Sequence, residues 1–452
     1  MNPAGIALVG ASDSPGKPGT IILDLLKKSG RKLFPVNPKK ETLGGLKSYR
    51  DIETLPEGID LAILATSARV SVSAAAACAS KGIPFVVIVA GGFSEVGAEG
   101  ADLEAQLREI VSGSNTRILG PNSLGIFLPR EQIDTIFVEH GDQALAKGGG
   151  IATIVQSGSV GVEALGYASN TGFGMRAFVG LGNKCDLNET DFLSHFADDE
   201  ETNCLAFYLE NIEDNLHFLR LARQVSRKKP VIILKTGVSE SGASAVISHT
   251  GKLAGADEVV EGAFRQFGIQ RVSDDEELCD AAKVLSLCKA TRGNRVAVIT
   301  PAGGYGVMCT DYIEKTDPRA ELRMAVIAEQ TKEQIRRETF EFASCKNPID
   351  LTASADDRMF LATLDALLDD SGVDIVICNT FFAPPGISGN LIPQIAERLK
   401  RSDKPILVFT NYGPFTDQHL KGFFEVGIAG YASVNRVVRA ARFLVERARI
   451  LE

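Results

Sequence analysis

The chain has 452 residues, which corresponds to about three domains at roughly 150 residues each. Hydrophobic residues make up 44% of it and charged residues 23%, a balance that disfavours both a disordered chain and a membrane protein. The net charge of −9 argues against a nucleic-acid-binding protein but permits local basic pockets for anionic ligands. The longest apolar runs, such as Phe85–Ala90, are strand-sized, and the first residues carry neither a basic patch nor an apolar signal core. We therefore expect a cytoplasmic protein.

The eight cysteines are scattered along the chain without a single C-x-x-C pair. This spacing predicts neither a structural zinc site nor a disulfide framework, and we expect no metal site on this chain. Most of the cysteines have apolar neighbours, as in Val376–Cys378, which is typical of thiols in a hydrophobic core.

One pattern recurs three times: a short apolar strand, a turn rich in glycine or serine, and then a helix with apolar spacing. Strands that alternate with helices in this way indicate parallel β-α-β sheets, so the predicted fold class is α/β. The predicted strands are Ile6–Val9, Leu33–Val36, Leu61–Ala65, Phe85–Ala90, Arg117–Leu119, Ile151–Val155, Arg176–Val179, Cys204–Leu209, Val231–Leu234, Val296–Thr300, Asp374–Cys378 and Ile406–Thr410. Helices are predicted near Thr20–Ser29, from Gly158 to about Asn170, near Gly255–Phe267, and over Val434–Glu446.

Apolar periodicity gives way to polar residues near Gly125–Pro129 and again near Thr291–Asn294. We place the domain boundaries in these two stretches. The predicted domains are residues 1–127, 128–291 and 292–452.

The first glycine-rich turn, Gly10–Gly19, reads GASDSPGKPG and joins a strand to a helix. Backbone N–H groups and the positive end of a helix dipole at such a turn favour an anion. The turn is neither a G-x-G-x-x-G fingerprint nor a P-loop, because Gly10 and Gly16 are one residue too far apart and Pro18 stands where a magnesium-binding hydroxyl is needed.

The second strand ends in Asn37-Pro38-Lys39-Lys40, where an NAD site requires an acidic residue for the ribose hydroxyls. Two lysines suit a phosphorylated ribose instead, as in NADP or coenzyme A. The alternative is a surface loop with solvated lysines, and the motif alone leaves both interpretations open.

Three more turns follow predicted strands, at the edge where open α/β sheets bind ligands. They contain Gly91-Gly92, Gly120–Ser123 and Gln156–Ser159. Ser157 can cap the following helix, and Gly158 lets backbone donors approach an anion closely. Tight turns without a ligand, and an ordinary helix cap, are the alternatives for these motifs.

His249 lies in a run of small residues, Ser248–Gly251, before the helix near Gly255–Phe267. A histidine in such a loop can act as a base or as a nucleophile, although a surface histidine is the alternative. The other four histidines are His195 and His217 in predicted helices and His140 and His419 in predicted polar loops.

Glu210 follows the strand Cys204–Leu209. A carboxylate at the end of a strand can hydrogen-bond one ring nitrogen of a histidine and so leave the other nitrogen free to attack. The alternative is an ordinary acidic residue at a helix start, in a region that is already acidic over residues 198–201.

Taken together, the motifs resemble the NDP-forming acyl-CoA synthetases, which include the ADP-forming acetyl-CoA synthetases and are relatives of succinyl-CoA synthetase. The phosphohistidine loop of that family is matched by the run from Ser248 to Val259. Further matching motifs cover nearly the whole chain: VGAS at Val9–Ser12, FPVNPK at Phe34–Lys39, AGGF at Ala90–Phe93, GPNSLG at Gly120–Gly125, QSGSVG at Gln156–Gly161, LGNKCD at Leu181–Asp186, DDEET at Asp198–Thr202, YLENIED at Tyr208–Asp214 and NPIDL at Asn347–Leu351.

This resemblance implies an alpha subunit with a Rossmann-like CoA-binding domain followed by two flavodoxin-like, doubly wound parallel-sheet domains. It also implies a reaction in which acyl-CoA and phosphate give an acyl phosphate, whose phosphoryl group passes to His249 and then to ADP. The implied site residues are the catalytic His249 and Glu210, the phosphate-binding Ser157, Gly158, Gln156 and Asn122, and the CoA-binding Gly10, Ala11, Ser12, Lys17, Asn37, Lys39, Gly91, Gly92 and Phe93.

The chain departs from the family pattern at Lys252, Ser123 and Tyr305, and none of these is the proposed nucleophile. It offers no candidate for the ATP-grasp domain that binds the nucleotide in this family. The resemblance therefore implies a partner beta subunit of ATP-grasp fold in an α2β2 heterotetramer. That subunit would hold ADP or ATP with Mg²⁺, while this chain would handle coenzyme A, phosphate and a small carboxylic acid.

Three rival functions stay open at this point. The first is a non-catalytic CoA-binding sensor or scaffold protein of the same fold. The second is an NADP-dependent oxidoreductase, which Lys39-Lys40 permits and which would give His249 no role. The third is a protein acetyltransferase, which would need an additional acetyl-transfer domain. The acyl group, the choice between ADP and GDP, and the physiological direction of the reaction are not encoded in any of these motifs.

Overall fold

The computed structural model describes residues 2–138, 149–171, 173–239, 241–242, 257–315 and 321–452. Its contacts divide the chain into two compact units. The first unit comprises Met1–Gly166 and Gly174–Ser273, and the second comprises Tyr167–Phe173 and Asp274–Glu452.

The secondary structure alternates between strands and helices along the chain. The described strands are β1 (Gly5–Val9), β2 (Lys32–Val36), β3 (Thr42–Leu43), β4 (Leu46–Lys47), β5 (Leu61–Leu64), β6 (Phe85–Ile88), β7 (Arg117–Leu119), β8 (Ile126–Leu128), β9 (Ile133–Asp134), β10 (Ile151–Val155), β11 (Met175–Gly180), β12 (Cys204–Leu209), β13 (Val231–Lys235), β14 (Gln270–Val272), β15 (Arg295–Thr300), β16 (Arg323–Met324), β17 (Ile349–Asp350), β18 (Ile375–Asn379), β19 (Ile406–Phe409) and β20 (Ala429–Tyr431). The described α-helices are α1 (Pro18–Lys27), α2 (Ala68–Ser80), α3 (Ala98–Ser112), α4 (Gly158–Thr171), α5 (Glu189–Ala197), α6 (Asn215–Ser226), α7 (Asp257–Gln266), α8 (Asp275–Leu287), α9 (Gly303–Glu314), α10 (Glu329–Glu338), α11 (Asp357–Asp369), α12 (Leu391–Arg401), α13 (Thr416–Glu425) and α14 (Val434–Leu451).

Besides the two-stranded antiparallel pair β3-β4, the first unit contains two sheets. One is wholly parallel, with strand order β2-β1-β5-β6-β7. The other has the order β14-β13-β12-β10-β11-β8-β9, in which β8 and β9 run antiparallel to their neighbours. In each parallel sheet the chain moves to one side and then returns to the other, which creates a topological switch point between β1 and β5 and another between β10 and β12.

The second unit contains one parallel sheet with strand order β16-β15-β18-β19-β20, and β17 also pairs with β15. Its switch point lies between β15 and β18. The central strands are apolar and fully buried, as expected for a parallel sheet covered by helices on both faces. The predicted α/β class and the doubly wound architecture are therefore confirmed.

Two predicted details differ from the structure. His419 was expected in a polar loop and that prediction is wrong, because it lies in α13, where Leu420 and Phe423 bury one face of an otherwise polar helix. The last helix was expected to end at Glu446 but continues to Leu451, since its apolar spacing persists beyond Val445.

The predicted domain boundaries stay a prediction. The first falls within β8, which pairs with β11 in the second sheet, and the second falls after α8, which belongs to the second compact unit. Within the described ranges, no helix is both long and apolar enough to cross a membrane.

Candidate active site

The second switch point of the first unit places Gln156 and Glu210 side by side. Gln156 follows β10 and Glu210 follows β12, and these two strands are paired along their length. The side-chain carbonyl of Gln156 accepts hydrogen bonds from the backbone N–H groups of Glu210 at 2.9 Å and Asn211 at 3.3 Å. Its amide donates to Oδ1 of Asn211 at 2.7 Å. The structure therefore brings two predicted site residues together and shows that Gln156 holds the turn that carries Glu210.

Two lysines complete the fixation of this turn from neighbouring elements. Lys235, the last residue of β13, donates from Nζ to the carbonyl oxygen of Glu210 at 2.6 Å. Lys184 donates from Nζ to the carbonyl oxygen of Asn211 at 2.9 Å and forms an ion pair with Glu189 at 3.0 Å, with both charged side chains fully buried. Every backbone N–H and C=O group of Glu210 and Asn211 is thus bonded to a side chain, which makes the Glu210–Asn211 turn a preorganised platform.

Glu210 is only 6% exposed, and its carboxylate contributes to the shifted pKa values of two neighbouring side chains. Burial raises the pKa of Tyr208, and the nearby Glu210 carboxylate raises it further, against the effect of Thr236. Burial lowers the pKa of Lys235 to about 8, with repulsion from Arg271 and Lys184 adding to the effect and attraction by Glu210 opposing it. The carboxylate of Glu210 is therefore held among groups that respond to its charge.

Ser157 comes directly after Gln156, and α4 begins at Gly158. Ser157 is partly exposed, and its hydroxyl lies 3.1 Å from that of Ser159. The start of α4 thus presents backbone N–H groups and two hydroxyls next to the Glu210–Asn211 turn, an arrangement suited to a phosphoryl group.

The predicted nucleophile, His249, lies outside the described residues, as do Lys252 and the rest of the motif up to residue 256. The described chain resumes at Asp257, the first residue of α7, whose carboxylate pairs with Arg271 on β14. The role of His249 therefore stays a prediction.

The switch point of the first sheet holds the Gly10 turn. Gly10 has φ of +86°, and a Cβ built on it would lie 2.4 Å from the carbonyl oxygen of Ala65, so only glycine fits there. The start of α1 packs closely against this turn, because a Cβ on Gly19 would lie 2.1 Å from the carbonyl oxygen of Gly10. Asn37, after β2, donates to the carbonyl oxygen of Ala11 at 2.8 Å. These contacts unite the predicted CoA-binding residues Gly10, Ala11 and Asn37.

The lysines of this region differ in their pairing. Lys40 forms an ion pair with Asp13 at 3.0 Å, and this hydrogen bond lowers the pKa of the Asp13 carboxyl group. Lys17 and Lys39 are exposed, and neither has an ion-pair partner within the described ranges. Their charges are therefore available to an anionic ligand. Ser12, the remaining polar residue of the predicted set, accepts a hydrogen bond at its hydroxyl from the N–H of Ser14.

The Gly91-Gly92-Phe93 turn after β6 already holds a carboxylate. Oε1 of Glu95 accepts hydrogen bonds from the N–H groups of Gly92 at 2.5 Å and Phe93 at 3.1 Å, and Oε2 accepts from Asn183 at 2.6 Å. Burial opposes ionisation of Glu95, but these hydrogen bonds outweigh it and lower its pKa. The side chain of Phe93 is fully buried in the core, so only its backbone faces this turn.

Asn122 follows the cis peptide bond Gly120–Pro121 and adopts φ of +56°. Its N–H donates to the carbonyl oxygen of Ala90 at 2.8 Å, and its side-chain amide lies 3.4 Å from Oδ1 of Asn183. Ser123, one of the departures from the family pattern, is buried and donates to the carbonyl oxygen of Gly180. That serine is therefore a structural residue that joins its turn to the end of β11.

Sequence reasoning missed the residues that hold the site residues in place. Asn183 and Lys184 lie within the LGNKCD motif, Glu95 follows the AGGF motif, and Lys235 follows a predicted strand. Nothing in the sequence shows that the side chains of these residues turn inward. The position of Lys235 at the carboxyl end of an apolar strand was the one usable signal.

Two family models match parts of the chain between residues 4 and 285. The model described as "CoA binding domain" matches residues 4–129, and the model described as "Succinyl-CoA ligase like flavodoxin domain" matches residues 148–285. Gly10 lies in the first of these matched ranges, and Gln156 and Glu210 lie in the second.

Similarity to characterised proteins extends over the whole chain. It is 35% identical to the alpha subunit of acetate–CoA ligase [ADP-forming] II of Pyrococcus furiosus, over 99% of this chain and 97% of that protein. It is 34% identical to the alpha subunit of the corresponding ligase I of the same organism, over 97% of this chain and 95% of that protein. The chain therefore belongs to the family of ADP-forming acetate–CoA ligase alpha subunits.

A solved structure agrees with this relationship. The dinucleotide forming acetyl-coenzyme A synthetase 1 of Ca. Korarchaeum cryptofilum, in complex with phosphate and ADP, superposes with a TM-score of 0.90. The two are 31% identical, and the match covers 100% of this chain and 96% of that one.

Proposed function

We propose that this chain is the alpha subunit of an ADP-forming acyl-CoA synthetase. The complete enzyme would interconvert acyl-CoA, phosphate and ADP with a carboxylic acid, free CoA and ATP. The observation that carries the proposal is the Glu210–Asn211 turn, whose backbone groups are all held by Gln156, Lys184 and Lys235 at a switch point beside the start of α4. A chain that served only as a CoA sensor would have no need of a buried carboxylate fixed so completely.

The reaction divides into three steps in which this chain takes part. A phosphate oxygen attacks the thioester carbonyl carbon, the C–S bond breaks, and CoA leaves as a thiolate that takes up a proton. A ring nitrogen of His249 then attacks phosphorus, the bond between phosphorus and the acyl oxygen breaks, and the carboxylate leaves. Transfer of the phosphoryl group to ADP restores the free histidine.

The proposed roles follow from position and charge. Glu210 orients the imidazole of His249 and stabilises its positive charge as the N–P bond forms. Ser157 and Gly158, at the positive end of α4, would bind the phosphoryl oxygens, with Gln156 and Asn122 at the edge of the phosphate site. The acyl group would be that of a small carboxylic acid.

Coenzyme A would bind at the first sheet. The Gly10 turn and the start of α1 offer backbone donors to its phosphates, and Lys17 and Lys39 offer positive charges that have no ion-pair partner in the described part of the chain. The nucleotide, with Mg²⁺, would bind to a separate beta subunit of ATP-grasp fold in an α2β2 heterotetramer. The designation of two relatives as alpha subunits supports a partner of this kind.

The proposal is tested by phosphoryl transfer from labelled inorganic phosphate. We expect the chain, given acetyl-CoA and labelled phosphate, to acquire label that is acid-labile and base-stable, with release of free CoA. Addition of an ATP-grasp beta subunit and ADP should move the label into ATP. If no label appears with any of a panel of acyl-CoAs, even with the beta subunit present, the CoA-sensor function replaces this proposal.

Substitution of Lys39 tests the proposed CoA site against its two alternatives, a surface loop with solvated lysines and an NADP site. Lys39→Met removes an unpaired charge and should weaken CoA binding about tenfold, while binding of 3′-dephospho-CoA changes less, because the lost contact is to the ribose phosphate. Isothermal titration with both ligands and with NADPH measures this. Lys40→Met is the matched control, since Lys40 is already paired with Asp13, and should change CoA affinity less than threefold. Equal losses in the two variants, or tight binding of NADPH, would contradict the assignment.

A further inference from the structure

We propose that Lys235 is a positioning residue for the reaction, because its ammonium group joins the end of the strand that carries Glu210 to the end of the strand that leads into the segment containing His249. This inference rests on the proposed phosphohistidine function and adds to it a residue that the sequence motifs do not single out.

The geometry of the junction is specific. Lys235 Nζ donates to the carbonyl oxygen of Glu210 at 2.6 Å and also to the carbonyl oxygen of Thr236. Leu209 and Lys235 are register partners in the parallel pair β12–β13, so these carbonyls belong to the residues at which the two strands leave the sheet. One ammonium group therefore fixes the distance between the two points at which the chain leaves the sheet, after β12 and after β13.

A second link runs parallel to the first. The hydroxyl of Thr236 donates to the phenolic oxygen of Tyr208 at 3.3 Å, and the Glu210 carboxylate is close enough to Tyr208 to raise the pKa of its phenol. Thr236 is thus connected to Glu210 through its backbone by Lys235 and through its side chain by Tyr208. Displacement of the residues after β13 would be transmitted to the carboxylate that orients the histidine.

The ammonium group of Lys235 is buried among other charged groups. Its side chain is 8% exposed and is faced by Arg271 on β14, Glu210 after β12, Lys184 in the loop after β11, and Asp257 on α7. Burial and the two cations lower its pKa to about 8, against the attraction of the two carboxylates, so the ammonium loses its proton in the mildly alkaline range. The neutral amine makes weaker hydrogen bonds to the two carbonyls and leaves Glu210 with less compensating charge.

The test is the pH dependence of phosphoryl transfer in the complete alpha–beta enzyme. Wild type should lose about five- to tenfold in kcat above pH 8, with little change in KM for acyl-CoA. In Lys235→Arg, which keeps its charge, the alkaline fall should move above pH 10. In Lys235→Met the rate should be about ten- to a hundredfold lower than that of wild type below pH 8, and it should show no fall above pH 8.

Lys229, two residues before the amino end of the same strand, offers a matched control. Its ammonium also donates to two backbone carbonyl oxygens, those of Phe196 at 3.0 Å and Asp199 at 2.6 Å. Lys229→Met should lower thermal stability as much as Lys235→Met does, yet leave kcat and its pH profile unchanged. An alkaline fall that is the same in wild type and Lys235→Arg, or equal losses of kcat in the two methionine variants, would overturn the inference.

Amide hydrogen exchange tests the junction independently of catalysis. In Lys235→Met, exchange at Glu210, Asn211 and Thr236 should be at least tenfold faster than in wild type, and Lys229→Met should leave these amides protected. Unchanged exchange overturns the role of Lys235 even if the enzyme is active. Faster exchange in a chain that accepts no label from any acyl-CoA would instead support the junction and reject the proposed phosphohistidine function.

Discussion

Replacement of His249 by asparagine is expected to abolish phosphorylation of the chain by acetyl-CoA and labelled phosphate, a loss on the order of 10⁴-fold or more. Asparagine keeps a polar side chain of similar size but has no nitrogen lone pair that can attack phosphorus. Binding of CoA should stay within about twofold of wild type, because the proposed CoA site surrounds Gly10 on the first sheet, whereas His249 falls in sequence between two strands of the second sheet. Quantifying acid-labile label and titrating CoA in the same preparation measure both effects.

His217→Asn is the matched control for this experiment. His217 is an exposed histidine on α6, whose N–H is capped by Asp214, and its imidazole has no place in the proposed reaction. The control variant should accept label at the wild-type rate. Label retained in His249→Asn, or loss of CoA binding together with loss of label, would reject His249 as the phosphoryl carrier.

The fold could be predicted in most of its parts because parallel strands buried on both faces are short, continuous apolar runs. The strand β10 was predicted with its correct ends, and all five of its residues are buried. The hairpin of β8 and β9 was not predicted, since strands of three and two residues carry no periodicity that distinguishes them from a loop. Helix α13 was missed for a related reason, because its sequence is mostly polar and two buried apolar residues hold it.

Within the candidate site, the sequence could predict only the residues that follow the carboxyl ends of strands. Glu210 and Gln156 were identifiable because each directly follows an apolar strand, where open sheets place functional groups. Lys184 could not be identified, since a lysine is normally solvated and only packing shows that its side chain is fully buried against Glu189. The sequence does not show in which direction a long polar side chain points, because tertiary contacts determine that direction.

The largest expected effect on stability comes from a buried ion pair in the second unit. Arg436 on α14 donates two hydrogen bonds of 2.7 Å to the carboxylate of Asp280 on α8, and Asp280 is only 1% exposed. Arg436→Met leaves that carboxylate buried without its partner, which should reduce the free energy of unfolding by about 3–5 kcal/mol. For a unit of this size, the calorimetric transition of the second unit should fall by roughly 6–20 °C.

The pH dependence of this loss has a definite sign. Burial raises the pKa of Asp280, against the effect of Arg436, and removal of Arg436 should raise it further. A carboxyl group whose pKa is higher in the folded than in the unfolded state destabilises the fold as pH rises through that interval. The deficit of Arg436→Met relative to wild type should therefore be smaller at pH 4 than at pH 7.

An exposed pair of the same geometry provides the comparison that isolates burial as the cause. Arg398 on α12 donates to both carboxylate oxygens of Asp365 on α11, at 2.6 and 2.7 Å, but the Asp365 side chain is 51% exposed. Arg398→Met should cost less than about 1 kcal/mol, because water solvates the remaining carboxylate. The double variant Asp280→Leu with Arg436→Met should recover most of the loss, since no buried charge is left unpaired. Equal losses in the two single variants, or no recovery in the double variant, would show that lost packing of the arginine, and not its buried charge partner, accounts for the effect.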